Sequence, residues 1–192
     1  MDDADFLAAI RRNPNNAAIL DRLGDLEVDD VWLVAGCLFQ TVWNLHDGAD
    51  PIAKISDYDI FYYDPDTSWD AEDDVIIRAN ALFADLDVRI EVRNQARVHL
   101  WFELHFGYPA RPLVSARDGI ESFLIRCTCV GVNAAGDVHA PDGFADLEAG
   151  ILRPHRDNPR LPQMLAKAES YRKRWPWLTI EDQNNSPSLR GA

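Results

Sequence analysis

The sequence of 192 residues predicts an α/β (α+β) fold in one domain, a small mixed sheet flanked by helices, with a hairpin and further helices at the C-terminal side. Three observations carry this. Val31-Trp32-Leu33-Val34-Ala35 is a short, continuously apolar run ended by Gly36, and the residues after it, Cys37 to Leu45, have a helical pattern, making a strand–Gly–helix unit. Asp57 to Asp64 is rich in aromatic and β-branched residues, a strand composition. Val88, Ile90 and Val92 alternate with Arg89 and Glu91, the period of a half-buried strand.

The remaining elements follow in order. Phe6, Leu7 and Ile10, then Ala18, Ile19, Leu23 and Leu26, recur at helical spacing, so residues 4 to 12 and 15 to 26 read as two short helices, with Asn13 or Asn15 available as a cap around Pro14. The lack of alternation in the Val31 strand implies burial on both faces. His46 to Ile55 is a loop and Pro65 to Ser68 a turn. Asp70 to Ala84 is a helix with Glu72, Asp73 and Asp74 in its first turns, where the helix dipole favours acids. After the Val88 strand a helix runs from Asn94 to about Phe106 and stops at Gly107. Ser115-Ala116-Arg117-Asp118 resembles a capping box for a helix through Leu124, with Asp in place of the usual Glu or Gln. Thr128 to Asn133 and Asp137 to Ala140 form a hairpin about Ala134-Ala135-Gly136, Asp142 to Ile151 is a short helix, Pro154 to Pro162 a loop, and Gln163 to Arg174 a final amphipathic helix. The domain is expected to span 1–183, with N-terminal helices in 1–28, a core in 30–135 and C-terminal elements in 136–183, followed by a disordered polar tail at 184–192. The strand–helix alternation allows a parallel, Rossmann-like sheet, but Gly36-Cys37-Leu38 lacks both the G-x-G-x-x-G of a dinucleotide site and the G-K-[ST] of a P-loop.

Composition excludes several functions. A net charge of -13 opposes bulk electrostatic binding to nucleic acid or to anionic membranes. No apolar run approaches the ~20 residues of a spanning helix, and the acidic start Met1-Asp2-Asp3-Ala4-Asp5 is the reverse of a signal-peptide n-region, so a cytoplasmic protein is expected. The three cysteines, Cys37, Cys127 and Cys129, make no disulfide framework and no zinc set, and Cys127 and Cys129 read as small buried strand residues.

Asp57-Tyr58-Asp59 places two carboxylates on one face of a strand. Carboxylates that close repel unless one is protonated or a cation lies between them, so the pair is either a divalent metal site or a solvated strand start. Glu91, flanked by Ile90 and Val92, points away from its apolar neighbours and can join the pair if the strands are adjacent. With Gly36 at a strand-to-helix turn, the acid–x–acid pair on the next strand and a third acid on a later one, the sequence resembles the nucleotidyltransferase superfamily and its polymerase-β-like fold. Ala35 to Asn44, Asp57 to Asp64, Glu91 to Trp101, Val130-Gly131-Val132 and Ala140 to Gly143 look like a bacterial nucleotidyltransferase group of unassigned substrate, with the match running from about residue 30 to 178.

The resemblance implies an NTP substrate and Mg²⁺ (or Mn²⁺) held by Asp57, Asp59 and Glu91, with Glu91 also able to draw the proton from an acceptor hydroxyl. It implies that residues 30–135 form the catalytic core, and that Gly36, Cys37, Gln40, Lys54, Arg93 and Arg97 bind the nucleotide, with an NMP passing to an unidentified acceptor and pyrophosphate leaving. The superfamily usually has Ser where this chain has Cys37, a weaker donor, which either shifts phosphate binding onto backbone N–H groups and Gln40 or marks simple packing at the helix start. Arg93 and Arg97, four apart on the expected helix, either hold triphosphate or balance nearby acids. Asn94 is expected to cap a helix, and Trp43, Trp101 and Phe102 to lie in the core. Lys167, Arg172, Lys173 and Arg174 either face a polyanion or offset the dipole of the last helix. Two other readings of the same residues are a non-catalytic nucleotide-binding or regulatory module and a metal-dependent phosphohydrolase.

Overall fold

In the computed structural model, residues 1–155 and 160–181 are described. The expected tail at 184–192 and part of the Pro154 to Pro162 loop lie outside them. Two helices, α1 (Asp3–Ile10) and α2 (Pro14–Arg22), lead into β1 (Trp32–Val34) and α3 (Gly36–His46). Then come β2 (Tyr58–Tyr62), α4 (Trp69–Leu82), β3 (Ile90–Asn94), α5 (Val98–Phe106) and α6 (Ala116–Glu121). The chain continues through β4 (Gly131–Asn133), β5 (Val138–His139), α7 (Ala145–Ala149), β6 (Ile151–Leu152), α8 (Leu161–Arg172) and β7 (Thr179–Ile180).

The five-stranded sheet has the order β3-β2-β1-β4-β5, so β1 is central and its three residues are all buried, as their unbroken hydrophobicity requires. The sheet is not Rossmann-like: β1 runs antiparallel to both β2 and β4, and only β2 and β3 are parallel. The hairpin about Gly136 forms as expected between β4 and β5. A short parallel pair, β6 with β7, was not expected from two-residue segments.

The two faces of the sheet differ. Leu33, Tyr58, Ile60, Tyr62, Val92 and Val132 face a large core shared with Phe6, Ile10, Phe39 and Trp43. The opposite face carries a small cluster of Trp32, Val34, Ala116, Ile120 and Cys129 under α6. Gly131 permits that packing, because a Cβ there would stand 2.6 Å from Ile120 Cδ1. Asp59 pairs across the sheet with Val34 and therefore shares this thinly covered face.

Polar side chains fix the loops. Asn13 caps α2, accepting from the N–H groups of Asn15 and Asn16 at 3.0 and 3.3 Å, and its amide donates to Thr41 in α3 at 3.1 Å and to the Tyr58 hydroxyl at 3.3 Å. Ser115 caps α6 through the Asp118 N–H, but Asp118 turns to Arg111 and the Val114 N–H, so only half of the capping box forms. The helix expected from Asn94 begins later: β3 runs through Asn94, a 3-10 turn occupies Gln95–Arg97, and α5 starts at Val98. Asn94 caps that turn through the Ala96 N–H at 3.0 Å. It also accepts from the Asp64 N–H at 3.1 Å and donates to the carbonyls of Asp64 and Asp66 at 2.9 and 3.2 Å, which uses both donors and both acceptor positions of its amide. Trp43 is in the core as expected, whereas Trp101 and Phe102 lie on α5, none of whose residues is buried.

Asn94 thus ties the loop after β2 to the end of β3. Asn94→Ala is expected to lower stability by about 3 kcal/mol, since it strands buried backbone groups. Urea unfolding checks this, and a loss under about 1 kcal/mol would show that the loop does not depend on the amide.

Candidate active site

β2 and β3 pair in the register Tyr58 with Ile90, Asp59 with Glu91 and Phe61 with Arg93. Residues two apart share a face, so Asp57, just before β2, and Asp59 stand on the same side, with Glu91 beside Asp59 on the neighbouring strand. The structure therefore brings the three expected acids to one place. Its electrostatic mark is on Asp59. Burial first, then the charges of Asp57 and Glu91, raise its carboxyl from 3.8 to about 7 against the opposing pull of Lys167 and Arg93.

The turn from β1 to α3 lies against this cluster. Ala35 adopts φ 59° and ψ -126°, a conformation that disfavours any residue with a Cβ, at a cost on the order of 1–3 kcal/mol. Its N–H is held by the Val130 carbonyl at 3.1 Å. The chain can then enter α3 at Gly36, where an added Cβ would meet Gln40 Nε2 at 2.8 Å and approach Asp57 Oδ1 to 4.0 Å. Gly36, Gln40 and Asp57 are thus adjacent. Leu38 and Phe39 turn their N–H groups back to the Ala35 carbonyl at 3.0 and 3.3 Å, so the Gly36 and Cys37 N–H groups are the donors this turn can present beside the acids.

The other expected nucleotide contacts divide. Arg93 faces the acids, 3.6 Å from Glu91 Oε2, while Arg89 holds Glu91 Oε1 at 2.6 Å. Cys37 does not offer its thiol to solvent. It is fully buried, and its S–H donates to the Val34 carbonyl at 3.5 Å. Burial, then the charge of Asp59, push that thiol well above the usual range. The packing role left open for Cys37 is the one its side chain has. Arg97 is not on a helix face shared with Arg93. It is buried, sits 3.4 Å from Glu72, donates to the Ser68 carbonyl and lies 5.4 Å over the Trp69 ring. It balances a buried acid rather than facing Asp57 or Asp59. Lys54, which has φ 63°, donates to the Arg174 carbonyl at 2.6 Å and lies 5.2 Å over Trp175, just beyond the end of α8.

Two residues gain a place that sequence spacing alone left open. Arg174 donates to Gln40 Oε1 at 3.2 Å and to the Lys54 carbonyl at 3.1 Å. Lys167 is among the cations that oppose the rise at Asp59. What delivers them is an aromatic cluster: Phe39 and Trp43 of α3 meet Tyr171 edge to face with centroids 5.4 Å apart in each pair, and Trp175 donates to Asn44 Oδ1 at 3.0 Å.

The donor set fits a hard divalent cation in kind. It consists of three carboxylates, one of them made reluctant to ionise by burial and by its acidic neighbours. As arranged, no group of three such side chains among the described residues lies close enough to hold an ion, and Glu91 would have to leave Arg89 to join one.

The fold has a counterpart among known structures. A solved NMR structure described as revealing a CCA-adding enzyme head domain matches with a TM-score of 0.71 and 25% identity, over 94% of this chain and 96% of that one. No curated protein matches in sequence. A family model described as Nucleotidyltransferase covers residues 21–180, which take in the β1–α3 turn, all three acids and α8, and on that match the chain belongs to the nucleotidyltransferase family.

Proposed function

We propose that this protein transfers an NMP from an NTP to an acceptor and releases pyrophosphate, with Asp57, Asp59 and Glu91 at the reacting centre. The observation that carries the reading is the Asp59–Glu91 register beside Asp57 and the Gly36 turn. Mg²⁺ or Mn²⁺ at the three carboxylates would supply charge that stabilises the phosphoryl oxygens. The first-turn N–H groups of α3 orient the phosphates, and Gly36 leaves them room to approach the backbone. Arg93 stands beside the acids to balance phosphate charge. The acceptor oxygen attacks the α-phosphorus in line, the bond to the bridging oxygen of the β-phosphate breaks, and Glu91, once released from Arg89, accepts the acceptor's proton at a carboxylate oxygen. The net charge of -13 favours an acceptor that does not depend on bulk electrostatic attraction.

Incubation with Mg²⁺ and each labelled NTP is expected to yield pyrophosphate and a labelled product with at least one of them. Glu91→Gln should slow turnover roughly 10²–10⁴-fold, and Asp57→Ala/Asp59→Ala should abolish it. Turnover unchanged in the double variant would remove these acids from the chemistry. Tight NTP binding without turnover on any acceptor would favour a binding module in which Arg89 and Arg93 keep Glu91 occupied.

Asp59 also predicts how stability depends on pH without metal. An unfolded Asp releases its proton near 3.8, whereas folded Asp59 holds it to about 7. Between those values the folded chain binds the extra proton, so stability should fall as pH rises from about 4 to about 7 and level off above it, by on the order of 1 kcal/mol per unit. Urea midpoints in EDTA at pH 5 and pH 8 check this, and Asp59→Asn should flatten the difference.

A further inference from the structure

The cations that oppose the acids come partly from the far end of the chain, and their placement is specific. Lys167, Tyr171 and Arg174 are spaced i, i+4 and i+7, a single stripe on α8 and its C-terminal extension. Both cations lie on the Tyr171 ring, Lys167 Nζ at 5.4 Å and Arg174 Cζ at 5.2 Å from its centroid. Tyr171 is buried against Phe39 and Trp43 of α3, so the stripe is fixed relative to the helix that begins at Gly36. Its phenol also feels the site. Burial raises its pKa, Arg174 opposes the rise, and Asp59 and Asp57 add to it.

Arg174 connects directly to the turn. Its guanidinium meets Gln40 Oε1, and Gln40 Nε2 occupies the space a Cβ on Gly36 would need. Among the described residues, neither Lys167 nor Arg174 forms an ion pair, although the chain has 32 acidic residues. Arg172, one turn from the same end, does pair, with Glu169 at 3.1 Å. Two cations without carboxylate partners, held on a rigid ring next to helix N–H donors, make a site for a polyphosphate whose reacting end lies at the three acids.

We propose that Lys167 and Arg174 bind the β- and γ-phosphates of the NTP, opposite the first turn of α3, and that Gln40 positions Arg174 for that contact. The assignment rests on the nucleotidyl-transfer reading and adds the residues that select a triphosphate over a monophosphate. It also gives α8 a role in binding beyond closing the core.

Calorimetric titration of the full chain with magnesium tripolyphosphate, which has no base, tests it. The wild-type chain should bind. Lys167→Met and Arg174→Met should each weaken binding roughly tenfold or more, the size of a lost charge-assisted contact. Lys167→Arg should restore most of the loss at that position and Arg174→Lys part of it. Lys173→Met, which removes a charge from the same end without facing Tyr171, should change binding less than about twofold, in keeping with a screened surface charge. Melting temperatures of all variants separate folding from binding. If Lys167→Met and Arg174→Met bind as tightly as the wild type while Asp57→Ala/Asp59→Ala does not, the assignment to α8 is wrong and the carboxylate reading stands. If the wild type binds no tripolyphosphate in Mg²⁺, both fall. A loss confined to the melting temperature of Arg174→Met, with binding intact, would reduce Arg174 to a structural clasp and overturn its part of the proposal.

Discussion

A parallel pair of strands that sets one carboxylate directly beside another is costly, and the rest of this structure is arranged around that cost. Asp59 and Glu91 are register partners on β2 and β3, and Asp57 stands on the same side. Like charges so placed weaken a folded state unless a proton or a cation intervenes. The chain without metal uses both remedies in part. Asp59 holds a proton up to about pH 7, and Glu91 is taken up by Arg89 and Arg93. Local strain and functional sites tend to coincide, which is why the proposed reaction centre is sought at these carboxylates.

The supporting parts follow from the same constraint. β2 and β3 end together, and Asn94 ties the end of β3 to the loop after β2 through three hydrogen bonds while a fourth caps its own 3-10 turn. The β1–α3 turn must bring helix N–H donors to the acids, which it does at the expense of the strained Ala35. α8 must remain close to α3, and the contacts among Phe39, Trp43, Tyr171 and Trp175 keep it there. Each of these is an interaction between segments distant in sequence, so a change at Trp43 or Asn94 would reach the site without touching it.

The readable and unreadable parts of the sequence differ for physical reasons. Alternation in Val88 to Val92 and the composition of Asp57 to Asp64 revealed two strands, because a half-buried strand writes its period into the chain. The same patterns say nothing of direction, and the central antiparallel pairing of β1 emerged only from the fold. Glu91 could be picked out because its apolar neighbours fixed the face it points to. The helix face expected to carry both Arg93 and Arg97 does not form, because the strand continues to Asn94 before a 3-10 turn that rotates Arg97 inward to Glu72, the acid-balancing alternative of its two readings. Cys37 occupies the expected position in the turn, yet its side chain points into the core toward Val34, leaving only its backbone on the helix start. Lys167 and Arg174 read by default as dipole partners, since their nearness to Gln40 and Asp59 spans more than a hundred residues of chain.

The proposed transfer requires that Asp57, Asp59 and Glu91 hold a divalent cation together. Titration of the full chain with Mn²⁺, followed by the loss of the free-ion electron paramagnetic resonance signal near pH 8, measures this in wild type and Asp59→Asn. The wild type is expected to bind saturably and Asp59→Asn to lose about tenfold or more in affinity. Equal binding by the two chains would remove Asp59 from any such site.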